Sequence, residues 1–229
     1  MRQTFKQFWP HLLSAGIALG AWDTPIIKPF RVFMVLVHEM GHAGSAILTG
    51  GEVTEMRTHW NESGHTLTRG GITTVISSAG YVGSAFLGAF LIYMGSWPVW
   101  QRVLLGGVGV FTFHMSVLYT PTQTFDFAFG VLCGAALLLI AIRFRRFAFA
   151  VATWLGVMLC LYSLYDFRTD LWTDPGGTDA GILAGYWGLL SLAYPIAFLW
   201  SAASLFLMFW ALRSVDRRSR RVGVGRQIP

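Results

Sequence analysis

Long apolar runs, broken by short polar stretches, set the pattern of this chain. Six of them, near 30–49, 72–95, 100–120, 125–142, 147–165 and 187–212, come close to the about 20 residues that a helix needs to cross a hydrocarbon core about 30 Å thick. They predict an all-α membrane protein, a polytopic bundle of about six transmembrane helices. The glycines of "SSAGYVGSAFLGAF" and "LLGGVGVF" would weaken helices in water, but between bilayer helices small residues permit close approach. After the first run the pattern changes. In "GGEVTEMRTHWNESGHTLTRGG" two strand-tolerant segments, 52–59 and 65–69, flank the turn-forming "NESG" and predict a short β-hairpin at the membrane surface. The opening "MRQTFKQFWPHLLSAGIALGAW" has a basic start and a short apolar centre, interrupted by Pro10 and His11. It reads as a retained interfacial or re-entrant segment over 1–24 rather than a cleaved leader. With no long-period repeat or low-complexity linker, residues 1–229 read as one integral-membrane domain.

Composition agrees. Of 229 residues 54% are hydrophobic and only 12% charged, about half the charged share of a soluble domain. Mean hydropathy is +0.54. The formal net charge of +6 gathers largely in "RFRR" at 143–146 and "RSVDRRSRR" at 213–221, so it reads as cytoplasmic loops facing anionic lipid and excludes nucleic acid as the partner. Placing both clusters inside makes the helices between them an out-and-back pair. Counting backwards puts residues 50–71 outside, Lys28 and Arg31 inside, and both termini in the cytoplasm, with 213–229 a basic tail. Cys133 and Cys160 lie in apolar runs and suggest neither a disulfide framework nor a thiolate metal site.

The chemistry concentrates in "VLVHEMGHAGSAILTGG", residues 35–51. His38 and His42 stand four apart, on one helix face a turn from each other, with Glu39 beside the first. This is the H-E-x-x-H pattern: two neutral imidazoles bind Zn2+, and the carboxylate takes a proton from the attacking water and returns it to the leaving amine. Ionisable groups at the centre of a bilayer helix cost at least about 2–3 kcal/mol each unless paired, and a divalent metal is the simplest partner for three within five residues. At 1.5 Å per residue from position 30, the histidines lie ~12 and ~18 Å along the helix, at mid-membrane. A hydrolytic zinc needs a third protein ligand and an open position. His59, His65, His114, Asp126, Asp166, Asp170, Asp174 and Asp179 all have the right chemistry, and spacing does not choose among them. Of the other polar residues, Arg69 reads as an interfacial anchor, His114 as a packing histidine inside a span, and Tyr81 as helix packing.

The ordered segments "HEMGHAGSAILTGG", "NESGHTLTRGG", "SSAGYVGSAFLGA" and "SLYDFRTDLWTDPGGTDAGILA" together resemble the site-2 protease-like intramembrane metallopeptidases, in particular the small B-like branch without an inserted PDZ domain. The resemblance covers most of the chain. It implies a third zinc ligand on a later element, often an aspartate in an L-D-G setting, which this chain lacks. Its "TDA" at 178–180 looks like the Ser/Thr-Asp-Ala step of the B-like branch, which implies Asp179, with Asp166 and then Asp126 as alternatives. Asp179 also reads as an acid at a helix start beside Thr178. It precedes the last apolar run by eight residues and would lie about 12 Å beyond it in a continuous helix, so reaching the histidines requires "DPGGTDAGILAG" to dip back as a broken, protein-buried segment.

The resemblance implies a zinc-dependent intramembrane endopeptidase that cuts a transmembrane protein or peptide substrate, in a bacterial plasma membrane. The hairpin could pair with an unwound substrate as an added strand. A membrane scaffold or chaperone keeping this fold would have no chemical need for Glu39, and a metal transporter would want more polar residues along several helices than this chain offers.

Overall fold

A computed structural model describes the backbone of residues 2–94 and 97–225, with side chains for all of these except 2–8, 98, 166–173, 216 and 218–225. Helix α1 (Arg2–Ala21) leads to α2 (Lys28–Leu48), the centre of the molecule. Pro29 sits in the first turn of α2, where its missing N–H has no partner to lose. From Val32 to Met40 every residue is buried, so this helix is covered on all sides and its apolar residues form no single stripe. It stops at Gly50, whose φ of +81° turns the chain left-handed, while the Gly51 N–H closes on the Ala46 carbonyl at 2.8 Å.

Strands β1 (Glu52–Thr58) and β2 (Gly64–Arg69) follow, close to the expected limits, as an antiparallel pair running from Glu52↔Arg69 to Thr58↔Gly64 with a bulge between Val53 and Glu55. Alternation buries Met56 and Thr58. A two-stranded hairpin is marginal alone, and this one is fastened to the helices. The Arg31 guanidinium, near the start of α2, pairs with Glu62 in the turn through Nε–Oε2 at 2.6 Å and Nη2–Oε1 at 2.7 Å. Lys28 lies over the Trp60 ring, and Trp60 meets Phe125 edge-on. The hairpin therefore folds back along α2, from its C-terminal end to its first turn; the loop expected at the surface on the opposite side of the membrane from Lys28 and Arg31 instead reaches both, because Glu62 and Trp60 pair with them.

The remaining helices are α3 (Thr73–Ser78), which passes through a π-helical turn (Ala79–Gly83) into α4 (Ser84–Met94), then α5 (Pro98–Tyr119), α6 (Phe125–Arg143), α7 (Arg145–Thr173), α8 (Asp179–Tyr186) and α9 (Ala193–Gly225). Among the described residues five runs are long and apolar enough to cross a membrane: Thr73–Met94, Val99–Tyr119, Phe125–Arg143, Arg145–Tyr165 and Leu190–Val215. The chain is a multi-pass membrane protein. These five match the later apolar runs of the sequence; the first run became α2, which is diluted by Lys28, Arg31 and its polar triplet and is enclosed by the others. Glycines bring helices together as expected. A Cβ on Gly88 of α4 would lie 2.6 Å from the Gly156 carbonyl of α7, and one on Gly109 of α5 would lie 2.8 Å from that of Gly134 of α6. Helix α1 is continuous through Pro10, and the chain just beyond it stacks Trp22 on Tyr165 of α7 at 3.7 Å.

The C-terminal third departs from a simple reading of hydropathy. The final apolar run does not begin a helix at 187. Residues 187–189 leave α8 through Gly188, with φ of +78°, a 3₁₀ turn covers Leu190–Leu192, and α9 starts at Ala193. The basic segment expected as a tail from 213 continues α9 helically to Gly225. Helices α8 and α9 share a small core of their own, Ala180, Leu183, Ala184, Ala193, Ile196 and Trp200, beside the main one.

Candidate metal centre

The site forms where α2, the π-helical turn and α8 meet. Four-residue spacing on α2 places His38 and His42 on the same face, their rings 4.6 Å apart. Pro175 cannot continue α7, and the Gly177 N–H donates to Asp174 Oδ1 at 3.2 Å, which shapes the turn. Thr178 then caps α8 by accepting from the Gly181 N–H at 3.1 Å. Asp179 is thus the first residue of a short helix that returns to the protein, which gives both the broken segment and the helix-start acid that the sequence suggests. Its Oδ2 lies 2.8 Å from His38 Nε2 and 3.1 Å from His42 Nε2, and the two Nε2 atoms are 2.9 Å apart.

Three ligand atoms converge on one spot. His42 Nδ1 faces the Ile76 carbonyl oxygen at 2.7 Å; because a carbonyl only accepts, this nitrogen carries the proton and the neutral ring presents a lone pair at Nε2. That lone pair, a second imidazole nitrogen and a carboxylate oxygen point at each other, an arrangement complementary to a cation. Two nitrogens and one carboxylate are the protein donor set of a hydrolytic zinc site, and fixing a ligand histidine through its other nitrogen is the usual outer support. The residues present fit the metal. Among the described residues, His38, His42 and Asp179 form the cluster able to hold one.

The surroundings are shaped to that cluster. Gly80, in the π-helical turn, has no room for a side chain: a Cβ there would lie 2.6 Å from His42 Nε2 and collide with the His38 ring. A Cβ on Gly41 would lie 2.5 Å from the Ala79 carbonyl oxygen, so α2 and the turn touch backbone to backbone. Tyr81 packs its ring edge-on against His38 at 4.4 Å and stacks with Tyr162 and Trp200.

Glu39 is buried, and β2 forms its slot. The Thr66 hydroxyl lies 2.7 Å from Glu39 Oε2 and 3.1 Å from the Glu39 carbonyl oxygen. A Cβ on Gly64, two residues earlier in the same strand, would lie 2.6 Å from Glu39 Oε1. Sequence reasoning did not single out Thr66, and it read the glycines around Tyr81, Gly80 among them, as helix packing. The signal for Thr66 was its place in a strand that follows the histidine helix directly; the signal for Gly80 was its place in the small-residue run "SSAGYVGSA".

The other candidate ligands go elsewhere. Asp126, capped into the start of α6, accepts from Arg57 Nε at 2.6 Å and ties β1 to that helix. The hydrogen bonds that Arg57 makes to Asp126 and Glu55 stabilise its charged form and push its pKa up. Asp174 stays in its turn. His59 and His65 lie on the hairpin, with ring centroids 6.3 Å apart. His114, expected to pack inside a span, is exposed on α5, because the buried face of that helix at this level is held by Met115 and Ser116. Arg69 closes β2 and is exposed. The side chains of Asp166 and Asp170 lie outside the described residues.

A family model described as Peptidase M50B-like matches residues 12–211. No curated protein and no solved structure matches the chain.

Proposed function

The chain belongs to the Peptidase M50B-like, site-2 protease-like family, and from that premise we propose that it is a zinc-dependent intramembrane endopeptidase acting on membrane-protein substrates. The observation that carries this reading is the convergence of His38 Nε2, His42 Nε2 and Asp179 Oδ2, with Glu39 in the adjoining position of the same helix. In this reading the three residues hold the metal. Zinc, when bound, supplies a Lewis acid that polarises the scissile carbonyl and makes water acidic enough to attack near neutral pH.

Glu39 is the general base and then the general acid: its carboxylate accepts a proton from the attacking water and delivers it to the leaving amide nitrogen. Thr66 and Gly64 keep that carboxylate in one rotamer, the first by a hydrogen bond and the second by leaving room. The burial of Glu39, His38 and His42 keeps bulk water away, and because a helix holds its carbonyls in its own hydrogen bonds, a substrate helix must unwind to present one. We orient the molecule with the basic ends of α6 and α9 in the cytoplasm.

The test is hydrolysis of a single-span substrate carrying helix-breaking residues, in vesicles, by wild type and Glu39→Gln after zinc loading. Cleavage lost on chelation, restored by zinc and absent in Glu39→Gln supports the reading; cleavage unchanged in Glu39→Gln overturns it.

A further inference from the structure

Away from the metal cluster, α2, the π-helical turn, α4 and α5 line an open cavity of about 650 Å³, within the ~300–1,000 Å³ range of sites for small organic ligands. Val37 and Met40 of α2, Leu87 of α4, and Leu104 and Val108 of α5 form its walls. Its lip is apolar too: Leu48, Val103 and Phe111 line it and are all exposed, on or beside helices long and apolar enough to cross a membrane. The opening therefore faces hydrocarbon.

Two lining side chains are polar, Ser45 and Ser84, and both are already engaged. Ser45 Oγ donates to the His42 carbonyl at 2.9 Å and Ser84 Oγ to the Gly80 carbonyl at 2.5 Å, each inside its own helix. The cavity thus offers no uncommitted side-chain donor. Water there would be under-bonded, and an unwound peptide would leave its amides unsatisfied. A saturated hydrocarbon chain has no polar group to leave unsatisfied there and gains contact with the apolar walls.

We propose that this cavity holds one acyl chain of a bilayer phospholipid, inserted between α2 and α5 past Leu48, Val103 and Phe111. The headgroup stays outside, so the site selects for chain and not for headgroup. Met40, Gly41 and Ser45, in the turns that carry His38 and His42, form one wall. The chain therefore fills the space behind the metal-binding face of α2. The binding site itself is independent of the proteolytic reading.

The test is photolabelling of the full chain in phosphatidylcholine vesicles containing a small fraction of phosphatidylcholine with a diazirine near the end of one acyl chain. The outer face of α6, where Leu132, Leu139 and Ile142 are exposed, reports ordinary lipid contact. Peptides spanning 37–48 and 103–111 should be labelled in excess of that face. Gly107→Leu and Gly44→Leu should remove the excess: a Cβ at Gly107 meets nothing within 4 Å, and one at Gly44 meets only the Phe111 ring at 3.6 Å. Labelling no greater than on α6, or an excess that survives both substitutions, would each overturn the proposal. The wild-type comparison decides it even if neither variant folds.

Discussion

Asp179 Oδ2 lies 2.8 Å from His38 Nε2 across 141 positions of sequence. With the His42 nitrogen 3.1 Å from the same oxygen, a late aspartate and an early helix turn share one point in space. Asp179→Ala should therefore cost the protein its zinc, at least 10–100-fold in affinity on the scale of lost metal-site interactions. Asp126→Asn should keep the metal, because its partner is Arg57, and should instead lower stability by about 1–3 kcal/mol through the lost ionic hydrogen bond. Metal analysis beside thermal unfolding separates the two.

Glu39→Gln should retain zinc and lose activity by about 10²–10⁴-fold, the usual worth of a general acid–base group. Stoichiometric metal with no turnover is the expected pairing. Loss of metal together with activity would show that the carboxylate supports the site structurally.

Thr66→Val removes the hydroxyl and keeps the shape, so kcat should fall about 10–100-fold with KM unchanged, as for other outer supports of a metal site. Thr66→Ser should restore it. A change in KM alone would place Thr66 in substrate binding instead.

Gly80→Ala should expel the metal, since the added methyl meets both imidazoles. Gly83→Ala, in the same π-helical turn, is the control: its Cβ would approach only that of Ala79, at 4.0 Å. Zinc content of the two proteins checks the prediction, and equal retention would place the imidazoles further from the turn.

Much of this architecture is legible in the chain because its physics is local. Hydrophobic length locates the spans that begin at 73, 99, 125 and 145, and the change to strand-tolerant polar residues brackets the hairpin to within a residue. His38, Glu39 and His42 declare themselves because spacing on one helix fixes their relative positions. Asp179 is different. Spacing cannot measure a contact across 141 residues, and several aspartates had equal chemistry; only a resemblance ranked them. Hydropathy also misjudged the run from 187, because Gly188 and the short α8 break a stretch that stays apolar throughout. His114 does lie in a span, but the reading of it as a packing histidine fails because that side of α5 faces outward. Thr66 was invisible for a related reason: a threonine in a strand is ordinary until the strand lies against a particular carboxylate.

The return of α8 sets an order of events during synthesis. A chain growing into the bilayer carries His38 and His42 while the ribosome adds the next 137 residues, and Asp179 joins them only when α8 can settle on its small core with α9. Until then a nascent molecule has both imidazoles and Glu39 but lacks the third member of the cluster, so on the proposed reading a complete metal site, and with it any hydrolysis, waits for α8 to be made and packed.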